Sequence, residues 1–295
     1  MHLSMHNWMR AEPIEVTVAR LAKFGYESIE ISGEPAKYDT AHVRGVLKEH
    51  GIRCWGSITL MLGDRNLVAK DQAKREMSVQ YVKDCVTMVK ELDGEIMSIV
   101  PATVGKIVPD GNPEEEWEWA VGSMREIHTH AEKEGITLAV ECINRFETYF
   151  CARSNQAIAL AKATAPNVGV CLDAFHLNME EPDPYASIIS TKGMLVDFHV
   201  ADTNRFACGQ GHWDWLKLVG TLKTIGYDGA LTVEFVAPID RTPANPYPDA
   251  IETNPVDIPP EQLKFIEEHG SSLLTEEFYS WQVQVCAETL LPLIS

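Results

Sequence analysis

Four acidic or imidazole side chains each close a short apolar run that is rich in β-branched or aliphatic residues. They are Glu141, Asp173, His199 and Glu234, and they follow one another at intervals of 32, 26 and 35 residues. These intervals match one strand–helix unit of a (β/α)8 barrel, in which every strand delivers its C-terminal residue to one common mouth. Four groups that can each bind a cation are therefore predicted to converge, although no short motif joins them.

The residue types in this set predict a bound metal ion. A buried carboxylate is costly unless an opposite charge or a metal compensates it, so three acids and one histidine at apolar strand ends indicate a cation. A single aspartate at a strand end is more often a helix cap or an ion-pair partner. Four matching positions in successive units favour the metal. Because three carboxylates and one imidazole supply mostly oxygen ligands, the set suits Mn²⁺, Co²⁺ or Mg²⁺ better than structural zinc.

Further polar side chains follow three of these strands closely. Glu147 comes six residues after the first candidate ligand, His176 three after the second, and Arg205 six after the third. We expect each in the loop beyond its strand, over the barrel mouth. Taken singly they are surface charges or a hydrogen-bonded loop histidine. Together, beside a predicted metal site, they favour substrate binding.

The elements that must position these groups alternate along the whole chain as strand and helix, with no composition break that would divide residues 1–295 into domains. Such alternation predicts a single α/β domain with a parallel sheet, here a (β/α)8 TIM barrel of eight units. A doubly wound open sheet is the main alternative, but no G-x-G-x-x-G follows the first strand. The predicted strands are 2–8, 28–32, 53–60, 95–101, 137–141, 168–173, 195–199 and 230–234.

The fourth helix carries a start signal in its sequence. Asn112 can cap a helix, Pro113 fits its first position, and the three glutamates that follow suit the positive end of the helix dipole. Gly135 is expected to end this helix in a short turn before the fifth strand. The segment therefore predicts a helix between the fourth and fifth strands.

A proline-rich segment interrupts the alternation after the eighth strand. Seven of the sixteen prolines lie between Ala237 and Pro260. Long loops inside compact domains are mostly functional or disordered, and this loop leaves the barrel mouth beside Glu234. We interpret residues 237–278 as an insertion that forms a lid over the mouth or contacts another subunit.

Composition excludes several classes of partner. The formal net charge is −18, which opposes binding to nucleic acid or to an anionic membrane. The seven cysteines are odd in number and have no C-x-x-C spacing, so reduced thiols and a cytoplasmic protein are expected. No run of 18 apolar residues and no secretory leader pattern is found, so we expect a soluble chain.

Three motifs in the second half of the chain resemble those of a known family. ECINRFE contains E-x5-E, LDAFHLN contains LD-x-FH-x-N, and HVADTNRFACGQG contains H-x4-NR followed by G-x-G. They are similar to the motifs of the sugar phosphate isomerase/epimerase family of xylose-isomerase-like barrels, and most closely to its D-tagatose and D-psicose 3-epimerase branch. The match runs from Glu141 to about Glu234.

The resemblance implies both a cofactor and an activity. In that family the four strand-end residues hold Mn²⁺ or a similar ion. Glu141 and Glu234 would also be the acid/base pair on either face of the sugar's C3, while Glu147, His176 and Arg205 would hold the carbonyl end of the substrate. A cation bound to a carbonyl and its neighbouring hydroxyl acidifies the α proton, so that a nearby carboxylate can remove it.

Three departures from the family pattern keep other functions open. Asp197 stands where an H-x-H pair is usual, Asp202 is shorter than the usual acid, and Cys208 replaces a common proline. Because side chains alternate along a strand, Asp197 is predicted to lie on the inward face beside the ring of His199. After proton removal, reprotonation on the opposite face gives epimerisation, reprotonation at the neighbouring carbon gives isomerisation, and loss of a β-substituent gives elimination.

The proline-rich segment points to one alternative in particular. Simple ketose 3-epimerases need no such segment, and the chain also resembles, in its expected fold and metal site, the catalytic subunit of bacterial C-glycoside deglycosidases. That resemblance implies enolisation and elimination from a 3-keto-C-glycoside and a hetero-oligomer with a small β-rich subunit. A non-catalytic sugar-binding barrel would need neither the metal nor both glutamates. Endonuclease IV-like repair enzymes share the barrel, but the charge of −18 argues against them. For the preferred function we expect a small-molecule sugar substrate and a homo-oligomer.

Overall fold

Eight parallel strands form the centre of the protein in a computed structural model that describes residues 1–236, 242, 244, 258–271 and 273–294. The strands are β1 (His2–Met5), β2 (Ser28–Ser32), β3 (Arg53–Ile58), β4 (Ile96–Ile99), β5 (Thr137–Glu141), β6 (Gly169–Asp173), β7 (Leu195–Val200) and β8 (Ala230–Val233). The helices are α1 (Ile14–Lys23), α2 (Thr40–His50), α3 (Gln72–Glu91), α4 (Pro113–Glu134), α5 (Ser154–Thr164), α6 (Ala174–Glu180), α7 (Pro184–Ser190), α8 (Trp215–Thr224), α9 (Pro260–His269) and α10 (Glu276–Ile294).

The strands follow one another around a nearly closed ring. Their hydrogen-bonded order is β1-β8-β7-β6-β5-β4-β3-β2, and a parallel bridge between His6 and Glu30 joins the two ends of this order. Helices lie between successive strands, as parallel pairing requires. The structure confirms the predicted (β/α)8 barrel, and ring closure excludes the doubly wound open sheet.

Three early strands are shorter than the sequence predicts. The predictions ran to Trp8, Leu60 and Pro101, whereas β1, β3 and β4 end at Met5, Ile58 and Ile99. At Leu60 the backbone N–H donates to the hydroxyl of Tyr81 instead of to a neighbouring strand. Apolar residues continue past the strand ends because the loops at the mouth are themselves buried, and an apolar run alone does not separate the two cases.

Helix α4 begins and ends as its sequence indicates. The side chain of Asn112 accepts a hydrogen bond from the backbone of Glu115, whose own side chain accepts one from the backbone of Asn112. Pro113 occupies the first turn, and Gly135 ends the helix with a left-handed φ of 74°. This reciprocal capping box satisfies two backbone N–H groups that would otherwise lack partners.

The proline-rich segment is only partly described. Residues 237–241, 243, 245–257 and 272 lie outside the described part of the chain, so the lid interpretation of 237–278 stays a prediction. Within the described part, α9 packs beside the loop after β2, where His269 meets Glu34. Among the described helices, none is long and apolar enough to span a membrane.

Candidate metal and active site

The four predicted ligands converge at the C-terminal end of the barrel. One ligand atom from each of Glu141, Asp173, His199 and Glu234 lies within 4.8 Å of the others, and all four residues are buried. Each comes from a different strand or the residue after it, from β5 to β8. Parallel strands that end at one mouth bring together residues that are 26 to 35 positions apart in sequence.

Asp173 caps a helix and still faces the cluster. Its Oδ1 accepts hydrogen bonds from the backbone N–H groups of Phe175 and His176 at 2.6 and 3.1 Å, so it is the N-cap of α6. Its Oδ2 instead meets the guanidinium of Arg205. The capping role therefore uses one oxygen and leaves the other available to a cation.

The two ring nitrogens of His199 face different surroundings. Nδ1 lies 3.0 Å from Glu141 Oε1 and 3.4 Å from Glu234 Oε2, whereas Nε2 lies 3.0 Å from Asp197 Oδ2. Because a carboxylate only accepts hydrogen bonds, Asp197 favours a hydrogen on Nε2, and Glu141 equally favours one on Nδ1 until a cation takes its place. Asp197 thus lies where strand alternation predicts, as the partner that orients the ring.

Arg205 brings the positive charge that the cluster needs in this structure. Besides Asp173, its guanidinium contacts Glu234, with Nη2 3.0 Å from Oε2. Arg205 has a left-handed φ of 63°, and its loop is tied to the carboxylate of Asp202, which accepts hydrogen bonds from Thr203, Gly209 and Trp213. Because the guanidinium cation lies against the carboxylates of Asp173 and Glu234, a metal cation is also compatible with these two groups. This fits the predicted ligand set.

The environments of the two glutamates shift their pKa values in opposite directions. Burial raises the pKa of Glu141, and contact with His199 only partly offsets this. For Glu234, burial also raises the pKa, but Arg205 and His6 outweigh it and lower the pKa well below its ordinary value. Two carboxyl groups that differ in this way can hold and accept a proton respectively.

The three predicted substrate-binding residues line the same cavity. Asn144 donates through Nδ2 to Glu147 Oε1 at 2.6 Å and to His176 Nδ1 at 2.9 Å, so one amide orients both side chains. Arg205 and Glu234 line the cavity together with Glu147 and His176. The expectation that His176 lies in a loop is wrong: it belongs to α6, because Asp173 starts a helix directly after β6.

The cavity at the mouth, of about 160 Å³, has two unlike walls. On one side are mostly the charged and polar residues that follow β5 to β8. The other side is mostly apolar and follows β1, β3 and β4, and its polar groups are Thr59 and the imidazole of His269 from α9. The apolar lining residues include Trp8, Leu60, Met61, Leu62, Val100 and Val104.

Sequence reasoning missed two polar groups near the cluster. Glu30 is fully buried on β2, and burial together with Asp197 raises its pKa to about 8. The sequence feature that could have indicated Glu30 is a single acidic residue inside the apolar run SIEIS. His6 lies with its ring 4.6 Å from that of His199, and burial lowers its pKa to about 3. The predicted first strand included His6, but no sequence motif indicated that its ring would contact His199.

Comparisons with known proteins define the family. Residues 18–268 match the family described as xylose isomerase-like TIM barrel, and the chain belongs to it. The resemblance inferred from the motifs is confirmed at this level.

Individual relatives are ketose epimerases by name. The D-psicose 3-epimerase of Ruminiclostridium cellulolyticum is 28% identical over 230 residues, which cover 74% of this chain and 76% of that one. The ketose 3-epimerase of Arthrobacter globiformis is 29% identical, with 76% and 78% covered. The crystal structure of D-psicose 3-epimerase with D-tagatose from Clostridium cellulolyticum H10 superposes with a TM-score of 0.81 at 20% identity, covering 100% of both chains.

Proposed function

We propose that this protein is a divalent-metal-dependent enzyme that enolises a keto-sugar by removing the proton α to the carbonyl, and that it acts as a ketose 3-epimerase. The observation that carries the proposal is the pair Glu141 and Glu234, which both meet Nδ1 of His199 at one end of a sugar-sized cavity. The names of the relatives support the same activity.

The metal set would consist of Glu141, Asp173, His199 and Glu234. Mn²⁺, Co²⁺ or Mg²⁺ suits these oxygen-rich ligands, and such an ion supplies Lewis acidity that weakens the bond to the α proton and stabilises the negative charge that develops. The orientation of His199 by Asp197 prepares Nδ1 for this role before an ion arrives.

The chain's own carboxylates would move the proton. Glu141 and Glu234 would each accept a proton from the substrate or return one, because both carboxylates face the same end of the cavity. Two carboxylates on opposite faces of a planar enediolate would invert one carbon, and their roles exchange when the reaction runs backwards. Epimerisation follows from this arrangement without a further group.

Glu147, His176 and Arg205 would hold the carbonyl end of the sugar. Arg205 reaches Asp173 and Glu234 and can also donate to a substrate oxygen, because a guanidinium carries five N–H donors. Asn144 fixes Glu147 and His176 relative to one another. The predicted small-molecule sugar partner is thus matched by a set of fixed hydrogen-bonding groups.

Glu234→Gln tests the proposal most directly. With Mn²⁺ and D-psicose in deuterated water, the wild type should exchange the α proton, and the variant should lose this exchange by about 100-fold or more, since a positioned base contributes 10²–10⁴-fold. Mass spectrometry of recovered sugar measures the exchange. Glu132→Gln, the same change on an exposed helix position, should exchange at the wild-type rate. An unchanged rate in Glu234→Gln contradicts the assignment.

The same preparation separates epimerisation from elimination. Incubated with D-psicose and D-tagatose, a ketose 3-epimerase yields the C3 epimers. A deglycosidase catalytic subunit, supplied with its small partner subunit, would instead release the aglycone from a 3-keto-C-glycoside. Product formation only from the glycoside would replace the epimerase proposal by the lyase alternative.

A further inference from the structure

The imidazole of His269 is a polar group in a mostly apolar part of the cavity wall. It comes from α9, within the segment that sequence analysis interpreted as a lid, and it lines the cavity together with Trp8, Leu60 and Met61. Its side chain is only 1% exposed. A polar group buried in an apolar wall costs free energy unless it gains a hydrogen-bond partner.

The ring of His269 is held from three directions. Nδ1 lies 2.7 Å from the backbone oxygen of Phe265, and the ring stacks on the Phe265 side chain at a centroid distance of 3.8 Å and an angle of 13°. Nε2 lies 3.0 Å from Glu34 Oε2 but forms no aligned hydrogen bond in the structure. Because the Phe265 oxygen uses Nδ1, Nε2 is the nitrogen left for a ligand.

Glu34 is itself fixed as a charged acceptor. Although burial raises its pKa, the nearby side chains of His269 and Lys37 outweigh that effect and lower it. Ser32 also donates to Glu34 Oε2 at 3.3 Å. The carboxylate therefore does not need His269 as its sole partner, and the imidazole can share its interaction with a ligand.

The barrel order places this pair across the mouth from the predicted carbonyl-binding group. In the ring β1-β8-β7-β6-β5-β4-β3-β2, strand β2 stands opposite β6. Glu34 lies in the loop after β2, and its partner His269 reaches it from α9. His176 lies in α6, the helix that begins directly after β6. A sugar held at one end by His176 and Glu147 would extend towards His269.

We propose that His269 binds a hydroxyl group at the end of the sugar remote from its carbonyl, and that Glu34 positions the imidazole for this contact. The inference rests on the proposed function, because it assumes a keto-sugar whose carbonyl end lies at the metal cluster. The ligand class is a polyhydroxylated chain, since a hydroxyl can both donate to and accept from the edge of an imidazole. The apolar residues around His269 would cover the carbon skeleton between the two ends.

Deoxy sugars and a variant of His269 together test the contact. D-psicose is compared with its 5-deoxy and 6-deoxy analogues for wild type and His269→Phe, in α-proton exchange and in kcat/KM. Loss of one hydroxyl should cost the wild type about tenfold in kcat/KM, as loss of one hydrogen bond does. His269→Phe should lose about tenfold on D-psicose, mainly through KM, and should no longer distinguish D-psicose from one of the analogues.

Two further variants separate a contact from a structural effect. Lys264→Gln lies on the same helix with a 74% exposed side chain, and it should behave as wild type. Glu34→Gln should raise KM for D-psicose and weaken the discrimination against the same analogue, while kcat stays near the wild-type value. If His269→Phe does not fold, Glu34→Gln carries the test alone.

The possible failures are distinguishable. If the wild type exchanges the α proton but His269→Phe and Glu34→Gln keep the full discrimination against both analogues, the remote-hydroxyl contact is wrong and the proposed function stands. If the wild type exchanges the proton of no ketose, the proposed function fails and this inference fails with it.

Discussion

The two halves of the barrel contribute different things to one mouth. Strands β5 and β6 end in Glu141 and Asp173, His199 is the second-last residue of β7, and Glu234 follows β8 by one residue. By contrast, β1, β3 and β4 lead into mostly apolar loops that wall the cavity. A symmetric scaffold thus carries an asymmetric site, in which one half supplies charge and the other supplies shape. Repeated strand–helix units fix where residues go, and each unit is free to differ in what it presents.

The first half nevertheless contains one buried acid beside the cluster. Glu30 lies with Oε2 3.7 Å from Nε2 of His199, and it accepts a hydrogen bond from Thr232. Glu30, Asp197 and His199 form a second group that could hold an ion. The comparison between the halves predicts that the ion instead binds the group of Glu141, Asp173, His199 and Glu234, because the cavity gives access to it.

The largest effect is expected when a residue of the predicted metal set is replaced. Asp173→Asn keeps the side-chain volume but removes a charge, and His199→Ala removes a ligand. Both should weaken Mn²⁺ binding by more than about 100-fold, since even outer-shell changes cost 10–100-fold. Titration calorimetry and the rise in melting temperature on adding Mn²⁺ measure this.

Glu30→Gln is the matched variant in the other half of the barrel. It changes the acid of the group formed by Glu30, Asp197 and His199, and it should weaken Mn²⁺ binding by no more than about 10- to 100-fold, the usual cost of an outer-shell change and less than the loss in Asp173→Asn. Unchanged metal content in Asp173→Asn, or loss of metal in Glu30→Gln, would reverse the assignment of chemistry to the second half.

A smaller effect concerns substrate affinity. Arg205→Ala should retain Mn²⁺ and lose about 10- to 100-fold in kcat/KM for D-psicose, because hydrogen bonds to a charged group contribute about 1.5–3 kcal/mol. In the apolar wall, Met61→Leu conserves volume and should change KM by less than about tenfold. Steady-state kinetics with metal analysis compares the two, and equal losses would contradict the division into a charged and an apolar wall.

The smallest expected effect concerns the pH dependence of the unfolding free energy. It distinguishes the hydrogen bonds that anchor a loop in each half of the barrel. Asp202 anchors the loop after β7: burial raises its pKa, but hydrogen bonds from Thr203, Trp213, Trp215 and Gly209 outweigh burial and lower it. Its stabilisation is therefore present above the ordinary aspartate pKa of about 4 and is lost as the pH falls through the lower, folded-state pKa. Relative to Asp202→Asn, the wild type should lose unfolding free energy on acidification.

Tyr81 gives the corresponding control in the first half. Its hydroxyl accepts from the backbone of Leu60 and donates to Gly33, and burial raises its pKa, so it stays neutral in acid. Denaturant unfolding of Tyr81→Phe between pH 3 and 7 should show a constant difference from wild type. A difference for Asp202→Asn that does not vary with pH would mean that the aspartate is not the acid-sensitive anchor.

Much of the site was predictable because its cause is local and periodic. Apolar runs that each end in a ligand-forming residue mark strand ends, and strand–helix alternation predicts the barrel that brings those ends together. The same alternation placed Asp197 beside His199, two residues away on one face of β7. The capping signals of α4 act over four residues and were likewise sufficient.

Other features depended on contacts between segments far apart in sequence. Glu30 meets His199 only because the barrel closes, and His269 meets Glu34 only because α9 returns to the loop after β2. The starting point of α6 decided that His176 lies in a helix. The sequence by itself determined the repeat, the approximate ends of the four ligand-bearing strands and the types of ligand, since these follow from short-range pattern. Tertiary structure decided which nitrogen of His199 faces the cluster and which polar groups share its cavity, because those depend on packing across the whole ring.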